Sequence, residues 1–538
     1  MYFLTTSNNH SYRLWLPVVI VISILYLGAD IASPFNMYDE GIAVVGAERV
    51  LLGEAPHLDF WTVYPFGNYL VLAGAFSVFG KTLMVERILT LVWLLLLVVS
   101  LYLLLRTFYK PIPTLIGTFA AIIIVGGQDY WGRSLIPSLF FSTMALLFLI
   151  HYSKKQHGKL LALCALFIIL SSCFRLDIGL YALCACTLGF TIHKHFLETP
   201  QLGLFRLLGK SLVMLCIGIL TLLLIFLFLQ IILYGFGSLK PALSQLLVFP
   251  LTAFPSERGL PLPFFIRRWS NGEGIKEIIF TSTLFYFVIT VLVLASKNII
   301  SCLSNNIHSL RYNQIIPVLL FGLLLFNQAR VRSDAEHIVP SLLLTIPLFI
   351  WVFAHIHSKY LQTFALLAVS FILALPIQSK VHDVLFVYKA DTTQLFRIST
   401  LRGIVSSEVS MREQLVQYIN NHTLPNQPIF ICNNANDRFV VNDVINYFLT
   451  QHPPATRYHE LHSGVANTSD VQQEIIASLY NAKPSLILRM ECEPGPEPNG
   501  TGKHTGVLLL DNYILQYYYP AKQFDYYTVW LRKESINE

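Results

Sequence analysis

Apolar runs long enough to cross a bilayer recur through the first 377 residues, and no other feature restricts the fold so sharply. At 1.5 Å per residue a helix needs about 20 apolar residues to span hydrocarbon, and in lipid only helices or closed barrels satisfy every backbone polar group. Runs near 14–32, 88–105, 112–127, 135–152, 160–175, 178–193, 211–234, 278–295, 314–329, 337–357 and 360–377 read as about eleven transmembrane helices. No small-residue cleavage site follows the first run, so it reads as a retained helix rather than a signal peptide. Charged residues are 13% of the 538, against about 25% in an ordinary soluble chain.

The charge is divided unevenly. Residues 1–377 hold 24 Lys and Arg against 15 acids, and residues 378–538 hold 13 against 16. The tail therefore reads as a separate water-soluble domain. No basic stripe interleaved with aromatics appears, which argues against a nucleic-acid partner. An odd number of spans puts the tail opposite the N-terminus. Lys and Arg divide evenly between the two faces, but the face carrying Arg106, Lys154, Lys155 and Lys297 has a single acid, Glu198. That basic, acid-poor face reads as cytoplasmic. The tail and the acid-rich loops then read as extracytoplasmic, on a multi-pass protein of the inner cell membrane.

In the tail, 428–432, 485–490 and 526–532 read as strands, and 442–450, 470–481 and 506–519 as helices. This alternation predicts an α/β domain with a mostly parallel sheet. Cys432 and Cys492 end two of the predicted strands and, with this orientation, lie in an oxidising compartment, which allows a disulfide between them. Asn421, Asn467 and Asn499 begin N-x-[ST] sequons, which matter only in a eukaryotic secretory pathway.

Acids cluster where the first apolar run meets water. Asp39 and Glu40 are too costly to lie in hydrocarbon, at roughly 3 kcal/mol each, so they mark a membrane-surface site or, more simply, a helix N-terminus that Asp39 caps. An amphipathic stretch to Leu52 follows, then Gly53, the aromatic loop Phe60-Trp61-Tyr64-Pro65, a short apolar helix ending at Phe79-Gly80, and Glu86-Arg87 at the head of the next span. This order resembles the first extracytoplasmic loop of the GT-C glycosyltransferase superfamily, in its branch of protein mannosyltransferases and aminoarabinose transferases. Many of those relatives carry Lys-Pro-Pro where this chain has Val63-Tyr64-Pro65, so a phosphate contact from that lysine has no counterpart here.

The resemblance implies a polytopic helical GT-C domain over 1–377, with its first outer loop at 33–87 and the tail at 378–538 as an appendage. It implies transfer of a monosaccharide from a polyprenyl-phosphate donor to a lipid, glycan or protein acceptor, with inversion. Asp39 is then the base, and Glu40 or Asp129 positions the acceptor or tunes Asp39. Asp129 lies in a short outer loop with Arg133, which also reads as a solvated turn anchored by Trp131. Arg175 and Asp177, two apart at an outer junction, pair with each other or line a polar cavity. The proline-broken loop 235–277 offers Arg258, Arg267 and Arg268, either to a lipid phosphate or to the membrane lipids as an interfacial anchor. Arg332, Asp334 and His337 form an R-x-D-x-x-H pattern that reads as contacts to phosphate or sugar, or as a helix cap. One His and one Asp are too few ligands to make a metal site, and any need for Mg²⁺ or Mn²⁺ is left open. No Walker, GxGxxG or G-x-S-x-G motif occurs. Two other classes fit the residues less well: a transporter or lipid flippase, which needs polar groups near the midplane, and a scaffold that kept the fold without the chemistry.

Overall fold

A computed structural model describes residues 9–31, 33, 36–198, 204–263, 274–304, 310–389, 402, 409–491, 497 and 499–533. The membrane part comprises α1 (Asn9–Gly28), α2 (Asp39–Leu51), α3 (Gly67–Phe79), α4 (Leu83–Phe108), α5 (Pro111–Gly126), α6 (Leu135–Lys155), α7 (Gly158–Phe174), α8 (Leu176–Glu198) and α9 (Leu204–Tyr234). A chain of short turns follows: α10 (Leu239–Leu243), a π turn Ser244–Val248, α11 (Phe249–Leu251) and α12 (Ala253–Arg258). Then come α13 (Ile275–Ser304), α14 (Leu310–Val331), α15 (Ala335–Phe353) and α16 (Lys359–Lys389). Among the described residues, eight helices are long and apolar enough to cross a membrane; α1, α5 and α7 are shorter and coincide with the other three predicted spans. The outward faces of α9 and α16 are apolar and exposed, with Ile217, Phe228, Phe364 and Leu367 all 60% or more open, as lipid-facing helices require.

Helices α4 to α8, α13, α14 and α15 pack around one apolar cluster that includes Leu101, Leu146, Phe321 and Leu344. Helices α2 and α3 do not join it. Their buried faces, with Ile42, Val45, Tyr69 and Phe76, form a second cluster together with residues of the tail. A Cβ on Gly41 would lie 2.6 Å from the Ile445 backbone nitrogen, so only glycine lets α2 approach the tail this closely.

The tail holds α17 (Val409–His422), β1 (Phe430–Asn433), α18 (Ile445–Thr450), α19 (Ser469–Ala482), β2 (Leu486–Met490), α20 (Leu509–Tyr517), β3 (Tyr518–Phe524) and β4 (Tyr527–Arg532). Sheet order is β1-β2-β4-β3. Only β1 and β2 are parallel; β4 pairs antiparallel with both β2 and β3. The expected mostly parallel sheet is therefore corrected. The cause is local: Pro520 biases the residue before it to extended backbone, so the helix expected over 506–519 stops at Tyr517 and the chain turns at Asp525 into a hairpin. Pro520 itself sits on the edge strand, where its missing N–H costs no ladder bond. Cys492, of the suggested disulfide, lies outside the described residues.

Candidate functional site

The N-terminal ends of α2, α6, α8 and α15 converge with α12 and a loop of the tail around a cavity of about 130 Å³. Seven of the residues singled out in the sequence line it: Asp39, Tyr64, Arg133, Arg175, Arg258, Arg332 and His337.

Asp39 is the first residue of α2, and its carboxylate is not the cap. The Asn36 side-chain oxygen accepts the Tyr38 and Asp39 N–H groups at 3.1 and 2.8 Å instead, which leaves the Asp39 side chain to the cavity. There its Oδ2 lies 2.9 Å from Arg133 Nη2. Arg133 also forks onto Glu336, with Nη1–Oε2 at 2.7 Å and Nη2–Oε1 at 3.0 Å. Burial alone would lower the Arg133 pKa, but Asp39 and Glu336 outweigh it and hold the guanidinium charged. The approach of the two segments depends on Gly132, whose φ of 72° is left-handed and whose Cβ would sit 2.8 Å from Glu40 Cα.

Glu40 points elsewhere. It is 0% exposed and bound by Arg87, also 0% exposed, through Nε at 2.7 Å and Nη2 at 3.0 Å. Arg87 Nη1 donates to the Ile31 and Ser33 carbonyls, so this buried pair fastens the head of α4 to the chain leaving α1. Asp129 does not line the cavity either: its Oδ2 accepts from Asn36 Nδ2 at 2.9 Å, steadying the side chain that accepts the Asp39 N–H. Burial raises its pKa.

Arg175 forks onto Asp177 at 3.0 and 2.8 Å and lies 5.8 Å from the Tyr64 ring centroid. The pair is thus both an ion pair and, through Arg175, part of the cavity wall; Asp177 also accepts from Gln328 at 2.7 Å. Burial keeps the Tyr64 phenol well above its usual range. Arg332 donates to Asp334 at 2.7 Å, to both oxygens of Glu497 and to the Arg258 carbonyl. Asp334 caps α15, accepting the His337 N–H at 3.0 Å and His337 Nδ1 at 2.6 Å. Arg258 donates to the Val440 carbonyl at 2.6 Å. Of the four cavity arginines it alone has no carboxylate partner among the described residues. Arg267 and Arg268 lie outside the described residues.

Asp334, Glu336 and His337 bring ligand atoms within 4.8 Å of one another. They do not fit a divalent cation as arranged. Both Glu336 oxygens are taken by Arg133, and Asp334 is taken by Arg332 and His337, so a dication would have to displace two guanidiniums.

Sequence reasoning passed over Glu336, which stands between Asp334 and His337 and opens α15. It also passed over the tail's contribution to the cavity, His462. The one signal for that residue was the His-Glu-Leu-His stretch 459–462, between the expected helices 442–450 and 470–481.

No protein-family model matches the sequence, and no curated protein does. Solved structures do match in shape. ArnT from Cupriavidus metallidurans, bound to undecaprenyl phosphate, superposes with a TM-score of 0.53 at 12% identity, covering 98% of this chain and 99% of that one. Its apo form gives 0.53 at 11% identity, with 97% and 98% covered. The archaeal oligosaccharyltransferase AglB from Archaeoglobus fulgidus, in complex with an inhibitory peptide and a dolichol-phosphate, gives 0.50 at 12% identity over 89% of this chain and 70% of that one. Over nearly its whole length, then, this multi-pass chain has the GT-C fold.

Proposed function

We propose that the chain is a membrane glycosyltransferase that moves a monosaccharide from a polyprenyl-phosphate donor to an extracytoplasmic lipid, glycan or protein, by a single inverting displacement. The observation that carries this reading is a cavity walled by four guanidiniums and two carboxylates, of which Glu336 is held on both oxygens by Arg133 and Asp39 is left facing the cavity. That composition suits a lipid phosphate beside a hydroxyl nucleophile. The two phosphoprenol complexes among the solved structures of the same fold support it.

In the reaction, the acceptor oxygen forms a bond to the anomeric carbon while the bond from that carbon to the phosphate oxygen breaks, and the electron pair leaves with the phosphate. The acceptor proton passes to the Asp39 carboxylate. Arg258 anchors the phosphate, because among the described residues no carboxylate is bonded to it; Arg175 and Arg332 flank it. Their benefit to rate lies in the charge that grows on the departing oxygen. Arg133, shared by Asp39 and Glu336, fixes where the base points. Glu40 and Asp129 support this arrangement from behind rather than meeting the substrate. Since the Asp334–Glu336–His337 group is saturated by arginines, no step is assigned to a metal ion. The cavity opens on the acid-rich face, which we assign to the outside of the inner membrane together with the domain 378–538.

Transfer of labelled sugar from undecaprenyl-phosphate donors in proteoliposomes tests this. Asp39→Asn is expected to fold and to lose about 10²- to 10⁴-fold in rate; a folded variant with undiminished transfer removes Asp39 as the base.

A further inference from the structure

The loop between α18 and α19 reaches back under the first outer loop and is held from several sides. Asn442 grips its backbone with both ends of its amide, Nδ2 to the His459 carbonyl and Oδ1 from the Leu461 N–H, each at 2.9 Å. Arg49 Nη1 lies 3.3 Å from His459 Nδ1, Trp61 N–H donates to the Arg457 carbonyl at 3.0 Å, and Ser463 donates to Glu257 of α12 at 2.6 Å. The consequence is a fixed position for His462, which is 5% exposed and lines the same cavity as Asp39.

Among the described residues nothing hydrogen-bonds this imidazole. Its Nδ1 is enclosed without a hydrogen-bond partner, and Nε2 has none among the described residues; Glu460 Oε2 is 4.0 Å away. Trp61, Phe249 and Tyr38 pack their rings around it at centroid distances of 5.2, 5.7 and 5.9 Å. Burial, and then the nearby charges of Arg258 and Arg332, push its pKa down to about 3, so the ring is uncharged at neutral pH. A buried polar group left unpaired is costly, and Nε2, the ring nitrogen that protein atoms do not enclose, is the one a ligand in the cavity can complete. A fully ionised phosphate only accepts and so needs the tautomer with N–H at Nε2, whereas a hydroxyl suits the ring in either tautomer, because it both donates and accepts.

We propose that His462 hydrogen-bonds a ring hydroxyl of the donor's sugar, so that the C-terminal domain supplies a specificity-determining side chain to a site whose phosphate-binding groups come from the membrane part. This rests on the reading of the cavity as a polyprenyl-phosphate-sugar site.

Full-length protein in detergent would be titrated with undecaprenyl phosphate and with its glucosyl, galactosyl, mannosyl and arabinosyl esters. His462→Phe keeps an aromatic ring in the collar and removes the hydrogen bond; His462→Gln keeps a polar amide. For the ester that the wild type prefers, His462→Phe is expected to lose five- to tenfold in affinity while undecaprenyl phosphate binds as before, and His462→Gln recovers part of the loss. Equal weakening of both ligands, or a His462→Phe variant that binds the ester like wild type, overturns the proposal. So does a wild type that binds undecaprenyl phosphate with no preference among sugars and no gain from any. If the wild type binds no phosphoprenol at all, the glycosyltransferase reading fails first and this inference with it.

Discussion

At the scale of single residues, the distinction that matters is between arginines that hold the protein together and arginines left available for a ligand. Arg87 and Glu40 are fully buried and answer each other. Removing one partner of such a pair leaves a stranded charge, a loss of about 3–5 kcal/mol. Arg258 is partly exposed and spends one donor on a carbonyl. Arg87→Met is therefore expected to lower the melting midpoint in detergent sharply. Arg258→Gln is expected to leave the midpoint unchanged and weaken undecaprenyl phosphate binding tenfold or more, as a charged hydrogen bond worth about 1.5–3 kcal/mol implies. Equal melting losses in both variants would erase the distinction. Much of this site was legible in the chain, because a charge at the outer end of an apolar run has few places to go but a partner or a cavity. That reasoning finds Asp39, Arg133, Arg175, Arg258 and Arg332. It cannot sort them, since Glu40 and Asp39 are adjacent and only the helical turn between them sends one to Arg87 and the other to the cavity. That the Asn36 side chain, and not Asp39, takes N–H groups at the start of α2 was equally out of reach, being a choice between two good capping types three apart.

Among elements, the loop 459–462 and the first outer loop are the pair whose contact no local pattern announces. Periodicity marks helices and strands, and the spans and most tail elements follow it; the docking of two irregular loops some 400 positions apart in sequence leaves no period at all. The contact does leave a titration signature. Burial lifts the Glu460 carboxyl to about 8, against an ordinary value near 4.5, with the Thr62 hydroxyl and the Val63 amide pulling the other way. Between those two values the folded chain holds a proton that the unfolded chain has released, so stability falls as pH rises. His57 and His462, buried neutral with values pushed down to about 4 and about 3, act in the opposite sense, but only below their ordinary value near 6.5. The window from about 6.5 to 8 lies above the range in which the histidines act, and Glu460 has at most about 2 kcal/mol at stake in it. Across it the melting midpoint of the wild type should drop, and that of Glu460→Gln should drop less. A wild-type midpoint that is flat or rising over this range contradicts a protonated Glu460.

For the molecule as a whole, the composition boundary near residue 377 and the boundary of the apolar cores do not coincide. Charge content separates a membrane part from a polar tail, yet α2 and α3 belong by packing to the tail. Ile42, Val44, Val45 and Phe76 share one cluster with Ile429, Ile431, Val444 and Phe448, and Phe76 stacks on Phe448 at 5.8 Å. The Met37 carbonyl accepts the Ile445 N–H at 3.1 Å, and the Arg49 guanidinium reaches the Thr456 carbonyl and His459. Each large apolar side chain in such a cluster is worth roughly 1.5–3 kcal/mol against exposure, and neither half can bury its share alone. Ending the chain after Lys389 should therefore not yield a smaller protein that folds on its own. It should strip the cover from α2 and α3, release the hold of Ser463 on Glu257 and so of the tail on α12 and Arg258, and remove His462 from the cavity. The expected result is a truncated protein that elutes in the void volume on size exclusion in detergent and binds no undecaprenyl phosphate. A monodisperse truncation that binds it with full affinity would mean that the membrane part builds the phosphate site unaided, and that the shared core is a consequence of docking rather than a condition for it.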